Sequence, residues 1–480
     1  MEARECAGRV VLEALRLDLE PEAQVRETAK SALGLGVGGF ILFGGQGEQV
    51  RRLVAELRES AGHPLWIGSD LERGPGQQFG GLPTLPPPAG LAAHRRPIEA
   101  ATLAGRITGR AARNLGIDLV FAPVLDLDVE PRNPIIGTRA FSADERVVAQ
   151  LGRAWIDACQ AEGVLACAKH FPGHGRAVAD SHEEIPVVDA SRAMLESDVR
   201  PFREVADRVA AIMVAHVLYP GFGASLPATM SPEIIDHVLR GDLAFEGLVI
   251  TDAMNMSGFL DAQGSGGRAA VAALAAGCDL LVYPEDLRAT VEALEAAARD
   301  DPAVRARLET AIRRSETARM RLSDATCRED DSHQASLKLA TDSVLTIGEL
   351  PGWLRSERCV RVVAIWDDRE QPGRPPFGEA FNREFEAAGW TIDDSDDARF
   401  AIVLIASTPQ AWKGSAGLTP RTQEAVRSVI VTSQDVLPVA FGHRRLLAEL
   451  GGVGVCAWGT EPTMERAAAR TILDGAGAGP

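Results

Sequence analysis

From Gly38 to Val282 the chain alternates short apolar runs with longer segments whose apolar positions recur at helical spacing. The runs Gly38–Phe43, Pro64–Ser69, Leu119–Val124, Val164–Ala168, Ala211–Ala215, Leu248–Thr251 and Asp279–Val282 read as strands. Most are continuous in Val, Ile, Leu and Ala rather than alternating, the pattern of parallel strands covered on both faces. The amphipathic segments Glu99–Leu115, Glu145–Glu162 and Arg268–Ala276 read as helices between them. Seven strands are visible, and an eighth is expected near the start. Repeated strand–helix units imply a parallel α/β sheet, open or closed. Asp70, Asp126, Lys169, His170, His216 and Asp252 each fall just after an expected strand. Polar groups delivered by many strand ends are how a (β/α)8 barrel builds a site, whereas an open sheet gathers its site at one switch point. The expected fold is therefore a TIM-type (β/α)8 barrel.

After the helical segment Val304–Leu322 comes a charged, apolar-poor stretch, Cys327–Ser336, which reads as a linker. The pattern then restarts, with Val360–Trp366, Phe400–Ala406, Leu437–Gly442 and Val453–Gly459 as strands. Phe377–Ala388, Gln423–Ser433 and Met464–Leu473 read as helices. The expected organisation is a (β/α)8 barrel over 1–326, a linker over 327–340 and a smaller α/β domain over 341–480.

A chain of 480 residues is too long for one core, which agrees with this division. The formal net charge of −17 argues against nucleic acid or an anionic membrane as the partner. Seven cysteines with no CxxC pair argue against a disulfide framework or a zinc site and for a reducing compartment. The N-terminal stretch mixes charges through its apolar positions, unlike a signal peptide or a membrane span. A cytoplasmic protein without metal or cofactor is expected.

The densest chemistry is Lys169-His-Phe-Pro-Gly-His-Gly175, followed by Asp180-Ser-His182. Taken alone, it admits a metal site, a general acid/base, or a polar loop packed for structure. His170 and His174 are four apart, but the intervening Pro-Gly forbids the helix that an HExxH-type zinc site needs. Asp180 and His182 could hydrogen-bond, the carboxylate orienting the imidazole and raising its basicity. The run Gly247-Leu-Val-Ile-Thr-Asp252 delivers a carboxylate at a strand end, where a helix N-cap is the plain alternative. Asp70-Leu-Glu-Arg-Gly-Pro-Gly-Gln-Gln78 also follows a strand, with glycine spacing unlike a phosphate-binding loop. Asn133-Pro-Ile-Ile-Gly-Thr-Arg139 presents an arginine that by itself reads as solvated.

In order, KHFPGHG with DSH, NPIIGTRAF and GLVITDAM resemble family 3 glycoside hydrolases, nearest the β-N-acetylglucosaminidase (β-hexosaminidase) branch. The resemblance runs from about Gly38 to Met256. It implies a retaining, exo-acting hydrolase of terminal β-linked N-acetylglucosamine, acting through a covalent glycosyl–Asp intermediate. The implied nucleophile is Asp252, and the implied acid/base is His182 with Asp180 behind it. Asp70, Arg139, Lys169 and His170 correspond to sugar contacts. The implied partner is a small amino-sugar glycoside such as a cell-wall or chitin fragment. The C-terminal part resembles the family's α/β sandwich by pattern rather than by motif. One position departs from the cell-wall-recycling enzymes: their sugar-holding arginine is replaced by Gln78, with Arg73 nearby. A β-N-acetylglucosaminide phosphorylase, a β-glucosidase-type member and a non-catalytic sugar-binding barrel remain as alternatives.

Overall fold

The computed structural model describes residues 7–178, 185–256, 266–323, 332–370, 376–393, 395, 398–410, 413 and 416–477. Eight parallel strands close into a barrel in sequence order. They are β1 (Val11–Arg16), β2 (Gly39–Phe43), β3 (Trp66–Ser69), β4 (Leu119–Val120), β5 (Leu165–Phe171), β6 (Ala211–Val214), β7 (Leu248–Ala253) and β8 (Leu280–Val282). The eighth strand expected near the start is β1, whose Val11 and Leu12 pair with β8 and close the ring. The run expected as Leu119–Val124 is a strand only to Val120. Pro123 has no N–H to give the ladder.

Each strand sends alternate residues into one cluster, including Leu12, Ile41, Trp66, Leu119, Cys167, Met213, Ile250 and Val282. Only inward positions can be shared by all eight strands, so this is the filled barrel interior. Outward positions face helices such as Pro97–Leu115, Glu145–Gln160 and Gly266–Ala276. The end where the strands begin is closed by the helix Pro302–Arg319: Trp66 Nε1 donates to Ser315 Oγ at 2.7 Å, and Arg319 lies 3.9 Å from the Trp66 ring centroid. There too Asp279, fully buried, accepts from Arg240 at 2.8 Å, Arg307 at 2.9 Å, Arg314 at 3.4 Å and the Val249 amide at 2.9 Å.

The chain divides into two compact units. The first holds 1–82, 101–130 and 142–330; the second holds 83–100, 131–141 and 331–480. In the second, a six-stranded sheet has the order β11-β10-β12-β13-β14-β9. Its strands are β9 (Leu345–Ile347), β10 (Cys359–Trp366), β11 (Thr391–Ile392), β12 (Phe400–Ala406), β13 (Asp435–Phe441) and β14 (Gly454–Cys456). β9 is antiparallel and the others are parallel. Alternate residues of β12 fall into two cores, Ile402 and Leu404 in one and Ala401, Val403 and Ile405 in the other. Both faces are therefore covered, as in an α/β sandwich. β9 and β11, at the two edges of the sheet and only partly buried, do not stand out as apolar runs. Residues 332–340, within the stretch expected as linker, lie in the helix Ser332–Ser343.

Replacing Asp279 with Ala leaves three arginines around a vacated anion and should destabilise the barrel by about 3–5 kcal/mol. Urea unfolding measures it, and a loss below about 1 kcal/mol would mean the arginines relax freely to water.

Candidate active site

The mouth of the barrel is built from strand ends, and β5 supplies two consecutive candidate side chains, Lys169 and His170. In a regular strand, Lys169 and His170 would face opposite sides. The β5–β6 register shifts between Ala168 and Phe171, and such an irregularity re-aims side chains. Both residues thereby reach partners at the same mouth. The peptide bonds Lys169–His170 and Phe171–Pro172 are cis. The loop that follows is held from outside itself: Gly173 O accepts from Tyr219 Oη at 3.0 Å, and Arg176 Nε donates to Asp198 at 2.7 Å. A Cβ on Gly175 would sit 1.9 Å from the Leu127 carbonyl oxygen, so the approach admits only glycine.

Lys169, only 3% exposed, places Nζ 2.6 Å from Asp70 Oδ1 and 2.7 Å from Glu72 Oε1. Asp126 is the second centre. Its Oδ2 meets His170 Nδ1 at 2.6 Å, and its Oδ1 accepts the amides of His170 at 3.3 Å and His174 at 2.6 Å. Burial acts to raise the Asp126 carboxyl, but the His170 imidazole, by charge and hydrogen bond, and His174 outweigh it and hold it below the usual range.

Asp252, at the end of β7, completes the group. Burial again opposes the charge, and His170, His216, the Ala253 amide and Lys169 overcome it, so this carboxyl too lies below its ordinary value. Its Oδ1 accepts from Ala253 N at 2.8 Å. The N-cap alternative does not describe it: β7 runs through Ala253, and the next described helix begins at Gly266. His216 is seated between Thr229 Oγ1 at 2.8 Å and Ala253 O at 3.2 Å. Burial drives the His216 imidazole down against the pull of Asp252; burial and neighbouring His170 do the same to His174. The mouth thus keeps carboxylates ionised beside imidazoles biased to neutrality.

Asp70, Lys169, His170 and Asp252 come together in this mouth, as a barrel-top site requires. Arg139 belongs to the segment 131–141 of the second unit, where its Nη1 donates to Ile135 O at 3.3 Å. Asp180 and His182 lie outside the described residues. Arg73 and Gln78 are both half-buried in the loop after β3, where the Arg73 amide donates to Gln77 Oε1 at 2.8 Å. Glu72 and Asp126 were not assigned roles from sequence, nor were His174 and His216. Glu72 stands two residues after Asp70 and His174 is inside the KHFPGHG run, so position gave a signal for both. Nothing local to Asp126 announces that it will hold His170, 44 residues on. Among the described residues no group of three or more His, Cys, Asp or Glu side chains is arranged to hold a metal.

Two stability measurements test this electrostatic frame. Asp126→Ala strands two buried amides and an imidazole, and should cost about 3–9 kcal/mol at about 1–3 per lost buried partner. Asp126→Asn, which retains one acceptor oxygen, should cost less. The histidines give a pH signature. Their folded-state pKa values are depressed, so the unfolded chain takes up protons first as pH falls. Their contribution is complete above about pH 6.5 and is lost below it, by up to about 1.4 kcal/mol per pH unit for each ring. Asp126 and Asp252, also depressed, hold theirs until the pH falls below about 4. The urea midpoint should therefore drop between about pH 7 and 5, and less steeply in His216→Gln; identical slopes would show that His216 titrates normally.

Comparison with known proteins bears on what this mouth belongs to. The glycosyl hydrolase family 3 N terminal domain matches residues 11–318. A β-hexosaminidase of Bordetella avium strain 197N is 40% identical over 258 residues, which cover 51% of this chain and 73% of that protein. The structure of a glycoside hydrolase family 3 β-N-acetylglucosaminidase from Paenibacillus sp. FPU-7 superposes with a TM-score of 0.82 at 26% identity, over 99% of this chain and 97% of that one. A β-glucoside phosphorylase, 20% identical with a TM-score of 0.81 over 98% of this chain and 91% of its own, shares the fold. With the family domain spanning the whole closed barrel, from β1 beyond β8, this chain belongs to glycosyl hydrolase family 3.

Proposed function

We propose that the chain is a retaining, exo-acting β-N-acetylglucosaminidase with Asp252 as nucleophile. The observation that carries this is the ionised Asp252 carboxylate at the end of β7, set among Lys169, His170 and His216. The β-hexosaminidase and β-N-acetylglucosaminidase relatives supply the substrate class: a terminal β-linked N-acetylglucosamine on a small glycoside such as a cell-wall or chitin fragment. The five described cysteines are unpaired, four of them buried, which favours a cytoplasmic site of action. No described helix is long and apolar enough to cross a membrane.

Glycoside hydrolysis needs a carboxylate on one side of the anomeric carbon and a proton for the leaving oxygen on the other. Asp252 attacks the anomeric carbon as the glycosidic bond breaks, forming a glycosyl ester; water then hydrolyses it with retention. Asp70, Lys169 and His170 hold hydroxyls of the sugar, converting binding into orientation, and the family resemblance adds Arg139. Lys169 meets Asp70 and Glu72 together, so the sugar finds a buried network already fixed in place. His182 gives the proton to the leaving oxygen and takes one from the incoming water, with Asp180 stabilising its imidazolium. Histidine titrates near neutrality and needs less tuning for this work than a carboxylic acid.

Asp252→Asn should lower kcat on an aryl β-N-acetylglucosaminide by at least about 10³-fold while the chain still unfolds in one cooperative urea transition. A fluoroglycosyl inactivator should label Asp252; a label on another carboxylate reassigns the nucleophile. His182→Ala should slow poor leaving groups far more than activated phenols, and equal losses on both would remove His182 as the acid. Turnover with and without phosphate tests water as the acceptor. Sugar 1-phosphate as the main product would make the enzyme a phosphorylase.

A further inference from the structure

Asp252 does not sit in a regular stretch of strand. Ile250 pairs with Leu280 and Ala253 with Val282, so β7 carries one residue more than β8 in the interval that holds Thr251 and Asp252. Such a bulge re-aims the side chains it carries and interrupts the ladder that would hold them. Other groups restore what the ladder lost. Thr251 Oγ1 accepts the Val282 amide at 3.0 Å, and the Met254 amide donates to Val282 O at 2.9 Å. On the other side, the pairing of β6 with β7 ends at Val214 and Thr251. His216, two residues past Val214, reaches the Ala253 carbonyl oxygen with Nε2 at 3.2 Å.

The chemistry of these contacts fixes the proton on the ring. A carbonyl oxygen only accepts, so Nε2 carries the hydrogen. Burial drives the imidazole down against the pull of Asp252 and the backbone, and the ring is neutral. Nδ1 is then an acceptor, and Thr229 Oγ1, 2.8 Å away, is its donor. Thr229 is fully buried in the turn Ala228–Met230, which the Ala228 amide ties to Val217 O at 2.8 Å, one residue beyond His216. Donor and ring are thus fixed on the same connection between β6 and β7.

We propose that Thr229 and His216 form a positioning pair for the nucleophile: Thr229 holds the ring as its Nε2–H tautomer, and the ring holds Ala253. This rests on the assignment of Asp252 made above. Ala253 N donates to Asp252 Oδ1 at 2.8 Å, so the residue that orients the carboxylate is itself anchored by His216 through its carbonyl. A displacement of about 1 Å at a reacting group costs about 10²-fold in rate, which is why a bulged strand end needs such a strut.

Two kinds of measurement on the full chain test this. NMR of ring-nitrogen-labelled histidine, with the His216 signals identified by their loss in His216→Leu, should show a protonated Nε2 and an unprotonated Nδ1 at about pH 7. A proton on Nδ1 would overturn the proposal. The second is kcat/KM on an aryl β-N-acetylglucosaminide. Thr229→Val keeps the volume but not the hydroxyl and should lower it about tenfold or more, whereas Thr229→Ser keeps the hydroxyl and should stay within about threefold of wild type. The inhibition constant of N-acetylglucosamine should be unchanged in both; a loss carried entirely by that constant would make the pair a binding element instead. A packing role for Thr229 gives the reverse order, because serine opens a cavity and valine does not, and that order or equal activities would defeat the proposal. His216→Leu should slow labelling of Asp252 by the fluoroglycosyl inactivator about 10²-fold. Normal labelling in that variant removes the positioning role alone, whereas a label on a different carboxylate in the wild type removes the nucleophile assignment and this role with it.

Discussion

A carboxylate buried where three N–H groups converge holds the mouth of this barrel together. Asp126 is 1% exposed, and an unpaired charge at such depth would cost several kcal/mol, about as much as the fold has to spare. It is tolerated because His170 Nδ1 and the amides of His170 and His174 all point at it. The same contacts fix the ring beside Asp252 and pin the start of the loop that Tyr219 and Asp198 anchor. One interaction thus fixes the backbone and the imidazole beside Asp252 together.

The remaining charges at the mouth follow the same rule. Lys169 is buried with both Asp70 and Glu72 meeting it, and His170, His216, the Ala253 amide and Lys169 together outweigh the desolvation of Asp252. An ionised carboxylate is what a positively charged, oxocarbenium-like transition state needs beside it. The fold does not dictate this outcome, since a β-glucoside phosphorylase shares it. The chemistry lies in which side chains the strand ends deliver.

The two ends of the barrel divide the work. Where the strands begin, Asp279 gathers Arg240, Arg307 and Arg314, and the terminal helix caps Trp66. Where the strands end, polar groups point into the site, and loops can vary without loosening the core.

The sequence by itself determined the repeating strand–helix pattern, the closed barrel and the second α/β unit, because buried parallel strands must be continuously apolar. It also singled out Asp70, Lys169, His170 and Asp252, since each follows such a run directly and the KHFPGHG, DSH and ITDAM motifs are specific. β9 and β11 escaped because they are the edge strands of their sheet and only partly buried, so neither lies in a continuous apolar run. Tertiary structure alone decided the partnerships. Asp126 meets a histidine 44 residues away, Lys169 meets a carboxylate 99 residues away, and Trp66 meets a serine 249 residues away. Periodicity reports which face of an element is buried, but only closure of the ring sets which strand ends share a mouth. The protonation states of Asp126, Asp252, His174 and His216 follow from that closure, because burial and neighbouring charge exist only once the strands have met.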